Sequence, residues 1–159
     1  MRRIVIALST AVLLGAVAAP PALAEVKVSL DSVKLAPAKA GKKTSATVTA
    51  TIAQRDYADI SLDLALSGFT AQGTFAFGEG ACPARLIRIS APAEIVQCGW
   101  VQQDKGALLS LALAGTFPAS TIRISVRRSA LTSPAGAGEY GVTLSSWAFE
   151  PVRTKVTVR

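Results

Sequence analysis

The side chains of this 159-residue chain that could do chemistry are two cysteines, a run of three aspartates and a surplus of basic residues. Histidine, the usual general base and metal ligand near neutral pH, is absent. Catalysis would then rest on carboxylates, or on a serine or threonine assisted by lysine. Asp56, Asp59 and Asp63 lie close together, and strand periodicity predicts one outward face for Asp59 and Asp63. Outward carboxylates on a strand are usually a solvated surface, and this spacing matches no calcium loop. Gly73, Gly78 and Gly80 are followed by no helix whose amides could hold a phosphate. The serines stand in alternating strand contexts without a nucleophile motif. No enzyme, metal site or cofactor is therefore expected, and an atypical histidine-free hydrolase is the second alternative.

The basic residues form rows. Arg123 and Arg127 would project from one strand, Arg153, Lys155 and Arg159 from another, while Arg85 and Arg88 accompany the cysteines. Adjoining rows would make a positive patch for an acidic envelope polymer, an anionic lipid surface or a glycan; separate rows would serve solubility and keep strand edges unpaired. Arg123, Arg127, Arg153 and Lys155, with Trp100 and Trp147, are the candidate contacts for a ligand or partner. Nucleic acid is not expected, since no exposed aromatic ladder accompanies the charges.

Cys82 and Cys98 are the only cysteines. Their bridge would close a loop of about 15 residues, worth roughly 3 kcal/mol in the chain-entropy model. A regular hairpin around Pro92 and Ala93 would oppose Cys98 to Ile87, leaving Cys82 about 16 Å away. Bridged Cα atoms sit within about 7 Å. A bulge, a corner or a change of sheet is thus expected between Pro83 and Glu94. Alternation also puts Val96, Cys98 and Trp100 on one face.

Residues 1–24 have the pattern of a signal peptide: Arg2 and Arg3, an apolar stretch over 4–19, and Ala22-Leu23-Ala24 as a small-residue cleavage site. The apolar stretch is short for a membrane span and is interrupted by Pro20 and Pro21. The expected mature chain, 25–159, is one secreted or otherwise extracytoplasmic domain with 15 basic residues against 10 acidic ones. Two cysteines in such a chain make one structural disulfide. The Ala- and Gly-rich, asparagine-free composition points to a high-GC bacterial genome and excludes asparagine-linked glycosylation.

These residues would be positioned by strands, because apolar segments alternate with period two and end in turn residues. Candidates are 26–30, 33–35, 44–53, 59–66, 74–77, 107–114, 121–128, 139–147 and 152–158, with the cysteine segment between the fifth and sixth. Ala46, Val48, Ala50 and Ile52 would face inward, as would Ile60, Leu62, Leu64 and Leu66. Turns every 8 to 12 residues predict an all-β, antiparallel β-sandwich.

The run from Gly136 through Tyr140 to Val142 resembles the opening of strand F in immunoglobulin-like domains, where the tyrosine hydroxyl caps a corner. An immunoglobulin-like order would put 121–128 and 152–158 in opposite sheets, dividing the two basic rows. Gln97-Cys98-Gly99-Trp100-Val101 and Ser125-Val126-Arg127-Arg128-Ser129 are similar to short runs in the enediyne-antibiotic apoproteins, secreted immunoglobulin-like carriers of an apolar chromophore. That family joins the first of these cysteines to a downstream partner, whereas Cys82 lies upstream. The reading is an exported, non-catalytic binding or cell-envelope interaction module whose partner is an acidic envelope component or another secreted protein; a secreted carrier of a small apolar ligand, in a cleft lined by Trp100, Trp147 and phenylalanines, is the alternative.

Overall fold

The computed structural model describes residues 27–53, 57–117 and 119–159; the expected leader, its cleavage site and Asp56 lie outside them. The described residues form twelve strands and no helix. They are β1 (Val28–Ala36), β2 (Ser45–Ile52), β3 (Tyr57–Ser67), β4 (Thr70–Ala71), β5 (Phe75–Glu79) and β6 (Ile87–Ser90). Then follow β7 (Glu94–Gln103), β8 (Gly106–Phe117), β9 (Ser120–Val126), β10 (Leu131–Thr132), β11 (Gly138–Ser146) and β12 (Phe149–Val158).

Antiparallel pairing arranges them in a four-stranded sheet, β1-β2-β9-β6, and a six-stranded sheet, β12-β11-β3-β8-β7-β5, with a small β10-β4 ladder. One hydrophobic core joins the sheets. The period-two pattern explains it: Ala46, Val48, Ala50 and Ile52 of β2 and Ile122, Ile124 and Val126 of β9 are buried from one sheet. Ile60, Leu62, Leu64 and Leu66 of β3 and Leu109, Leu111 and Leu113 of β8 are buried from the other. Threonines alternate with the buried residues of β2, where β-branching suits a half-exposed sheet face.

Residues 28–30 of the first expected segment and the whole of 33–35 belong to one strand, β1, interrupted by a bulge at Asp31. The two-residue strands β4 and β10 escaped the sequence reading, because two residues are too few to show a period.

The expected break between Pro83 and Glu94 is a change of sheet: β6 pairs with β9 in the small sheet, and β7 pairs with β8 in the large one. The Cys82–Cys98 disulfide, with a Cα–Cα separation of 5.3 Å, ties the β5–β6 connection to β7. Cys98 and Trp100 are buried side by side in sequence period, but Val96 is 36% exposed at a bulge in β7. The bulge adds a residue and breaks the face that alternation predicted.

The two seams of the sandwich differ. Beyond β1, the Ala40 N–H donates to the Arg159 carbonyl and the Arg159 N–H to the Ala38 carbonyl, each at 2.8 Å, which stitches the β1 side to the end of β12. At the opposite seam, edge strands β5 and β6 belong to different sheets and the disulfide is the covalent link.

Candidate functional site

The two basic rows lie in opposite sheets: β9 is in the four-stranded sheet and β12 in the six-stranded one. Arg123 and Arg153 are exposed. Arg127 is half-buried, and its Nε donates to the Ala84 carbonyl at 3.0 Å, so it braces the turn before β6. Lys155 Nζ pairs with Glu139 at 3.0 Å, both side chains being well exposed. The β9 and β12 rows therefore do not join each other; Arg88, exposed and opposite Ser125, instead joins Arg123 and Arg127 on the outer face of the four-stranded sheet.

A different set of cations does come together, at the end of the sandwich where β1, β9 and β12 finish. Lys39, Lys42 and Lys43 occupy the arch between β1 and β2, and all three are exposed. Arg128 lies against this arch, its Nε donating to the Lys43 carbonyl at 3.1 Å. Arg159 is bonded through its backbone to both Ala38 and Ala40. Among the described residues, Lys155–Glu139 is the sole ion pair, so none of these five cations has a carboxylate partner there.

The arch is held by buried hydroxyls. Ser133 is 3% exposed, and its Oγ contacts the Lys39 and Lys42 carbonyls and accepts from the Lys42 N–H at 3.1 Å. Thr44, 0% exposed, donates its hydroxyl to the Pro37 carbonyl at 2.7 Å. The Gly41 N–H donates to the Pro134 carbonyl. Gly41 itself has φ 63°, a left-handed turn that glycine adopts without strain. Buried polar groups with complete partners fix backbone geometry, so the lysines project from a frame ordered before any ligand arrives.

Asp59 and Asp63 both alternate with the buried residues of β3. Asp59 sits at a bulge of β3 with φ 56°, and the Gly115 N–H lies 3.4 Å from its Oδ1. Past this bulge the alternation holds: Ile60, Leu62 and Leu64 are buried, while Asp59 is exposed and Asp63 half-buried.

Trp100 is wholly buried, and its Nε1 donates to the Gln72 carbonyl at 3.2 Å. It presents no surface to a ligand. Trp147 is 67% exposed in the β11–β12 turn. A cleft of about 640 Å³ opens at the disulfide seam and is lined by Glu79, Ile89, Ala91, Glu94, Ile95 and Val96 among others. Neither tryptophan nor any phenylalanine lines it, so it is not the aromatic cleft that a chromophore-like carrier would use.

The predicted tyrosine cap is present. Tyr140 OH donates to the Gly136 carbonyl at 2.8 Å, and the ring meets Phe69 edge-on with centroids 6.2 Å apart.

No protein-family model and no curated protein matches this chain. The arch was missed in the sequence because its cations are far apart in number; the dense Lys39–Lys43 cluster was the one visible signal.

Proposed function

We propose that the protein is an exported, non-catalytic binding module of the cell envelope that holds an acidic polymer or anionic surface on its Lys39/Lys42/Lys43/Arg128/Arg159 end. The observation that carries this reading is the pre-ordered arch with five cations and no carboxylate partner among the described residues. Pre-ordering matters because flexible lysines on a mobile loop would lose more entropy on binding. Each cation close to an anionic surface contributes about 1 kcal/mol at physiological ionic strength, so five acting together are sufficient for retention where one pair is not.

Export is supported by the disulfide, which persists in oxidising compartments; no helix among the described residues is long and apolar enough to cross a membrane. The immunoglobulin-like version of the sandwich is part of the same reading. It is supported by the adjacencies β1-β2-β9-β6 and β12-β11-β3, which follow the A-B-E-D and G-F-C orders, and by the Tyr140 cap. The pattern departs at β8, which lies beside β3 but follows it only after β4 to β7.

Retention on an anionic matrix, measured against salt, tests the reading. Changing Lys39, Lys42 and Arg128 together to Gln should shift elution to markedly lower salt, while Arg153→Ser with Lys155→Ser should change it little. Equal elution of the wild type and the triple variant would make the cations a matter of solubility.

A further inference from the structure

The seam opposite the arch carries the second feature built for contact. β6 is an edge strand paired on one side only, with β9. The Arg127 N–H donates to the Leu86 carbonyl at 2.8 Å, which fixes the phase of this ladder. In an antiparallel pair, bonded positions recur every second residue. Arg88 and Ser90 therefore bond to Ser125 and Arg123, and Ile87 and Ile89 turn their backbone groups away from β9. The Ile87 N–H is taken by the Pro83 carbonyl at 3.0 Å. No backbone bond outside the ladders takes the Ile89 N–H or carbonyl among the described residues. Ile89 lines both the 640 Å³ cleft and the adjoining recess of about 250 Å³.

The cleft into which this edge looks is apolar in its floor and acidic at its rim. Ile89, Ala91, Ala93 and Ile95 supply the floor, and Glu79 and Glu94, both exposed, stand at the sides. No cation lines the larger cleft, although the chain as a whole is strongly basic; Arg88 is confined to the smaller recess. Phe77 and Val96, two of the three large apolar residues exposed among the described positions, lie on the neighbouring strands β5 and β7.

We propose that this seam receives an extended polypeptide segment, apolar on alternate residues and carrying basic side chains between them, which adds to the free edge of β6. An open trough cannot enclose most of a small ligand's surface, as small-molecule pockets do. Strand addition does not need enclosure: main-chain hydrogen bonds supply affinity and alternate side chains enter the cleft. Glu79 and Glu94 select for basic residues and, on this basic chain, are the local exception in charge.

The test uses the full mature chain and an eight-residue capped peptide alternating valine and lysine, with three control ligands. One control is N-methylated on alternate residues, one has glutamate for lysine, and the third is octylammonium, a small apolar cation. Titration followed by amide exchange should show saturable binding with at least tenfold slowing at Ile89. N-methylation on the bonding side should abolish that protection, and Glu79→Gln with Glu94→Gln should weaken binding several-fold with the melting temperature unchanged. The glutamate peptide should not protect Ile89. Protection confined to another edge strand, equal binding of the N-methylated peptide, or occupancy of the cleft by octylammonium without any response to the valine-lysine peptide would each overturn strand addition. Because the readout is on the ligand's backbone as well as the protein's, a loss of folding in the Glu variants cannot imitate the expected result.

Discussion

The two seams of the sandwich solve one problem in different ways. At the β1/β12 seam, the backbone crosses between the sheets with hydrogen bonds at Ala38, Ala40 and Arg159, and buried Thr44 and Ser133 hold the adjoining arch. At the β5/β6 seam, two short edge strands diverge around a cleft and a disulfide replaces the missing ladder. A hydrogen-bonded seam leaves its surface free to present fixed charges; a covalently tied one can stay open without coming apart. The polyanion reading and the strand-addition reading follow from these opposite properties.

Removing the disulfide is the largest way to break the contrast. Cys82→Ser with Cys98→Ser should cost about 2–5 kcal/mol, read by denaturant unfolding. The loss should be uneven, with amide protection falling first in β5 and β6 and last around Ala40 and Arg159. Uniform loss would mean that the two seams are one cooperative unit. Mass analysis of the native protein should find no free thiol, and reactive thiols would remove the premise.

Gly99→Ala attacks the same seam without touching sulfur. A Cβ at Gly99 would stand 2.7 Å from the Phe77 Cα, because the register of β5 on β7 slips between Phe75 and Gly78. The obstacle is backbone, so β5 must move, and overpacking of this kind costs about 1–3 kcal/mol. Chemical shifts at the arch should not change. A variant as stable as the wild type would show that β5 is not held by its close approach to β7.

Ser133→Ala sharpens the comparison from the other side. It removes no charge, yet strips the Lys39 and Lys42 carbonyls and the Lys42 N–H of a shared partner. A loss of about 1–2 kcal/mol is expected for a hydrogen-bonding group removed from a buried site. Retention on an anionic matrix should weaken as well, since the lysines would no longer be pre-ordered. Unchanged retention would show that charge alone, without the frame, accounts for binding.

The strands were legible because burial of one sheet face writes a period of two into the sequence, as in Ile60 to Leu66 and Leu109 to Leu113. The change of sheet after Cys82 was legible for a different reason, since a disulfide has a fixed reach. Alternation fails at bulges, which explains the misplaced face of Val96 and the split of β1. The basic end was hidden for a third reason: Arg128 meets Lys43 across 85 residues, and period within a strand carries no information about which strand ends share one pole.

The smallest expected effect lies at the bulge of β1, the edge strand of the stitched seam. The bulge places the Asp31 carboxylate where Thr51 Oγ1 donates to it at 2.6 Å and Ser29 Oγ at 2.7 Å. The Thr51 hydrogen bond, then that of Ser29, lowers the Asp31 pKa below its ordinary value of 3.8. A carboxylate with a depressed folded pKa contributes stability above its unfolded pKa, and that contribution disappears as pH falls through the folded value. Asp31 is fully exposed to solvent, so the acid limb of the stability curve should respond only slightly. The titration itself is the sharper measurement. In Thr51→Val, the Asp31 midpoint followed by carboxyl NMR should rise toward 3.8, with a smaller rise in Ser29→Ala. If neither midpoint moves, the bulge is not held by these hydroxyls, and the stitched seam depends on backbone bonds and buried side chains alone.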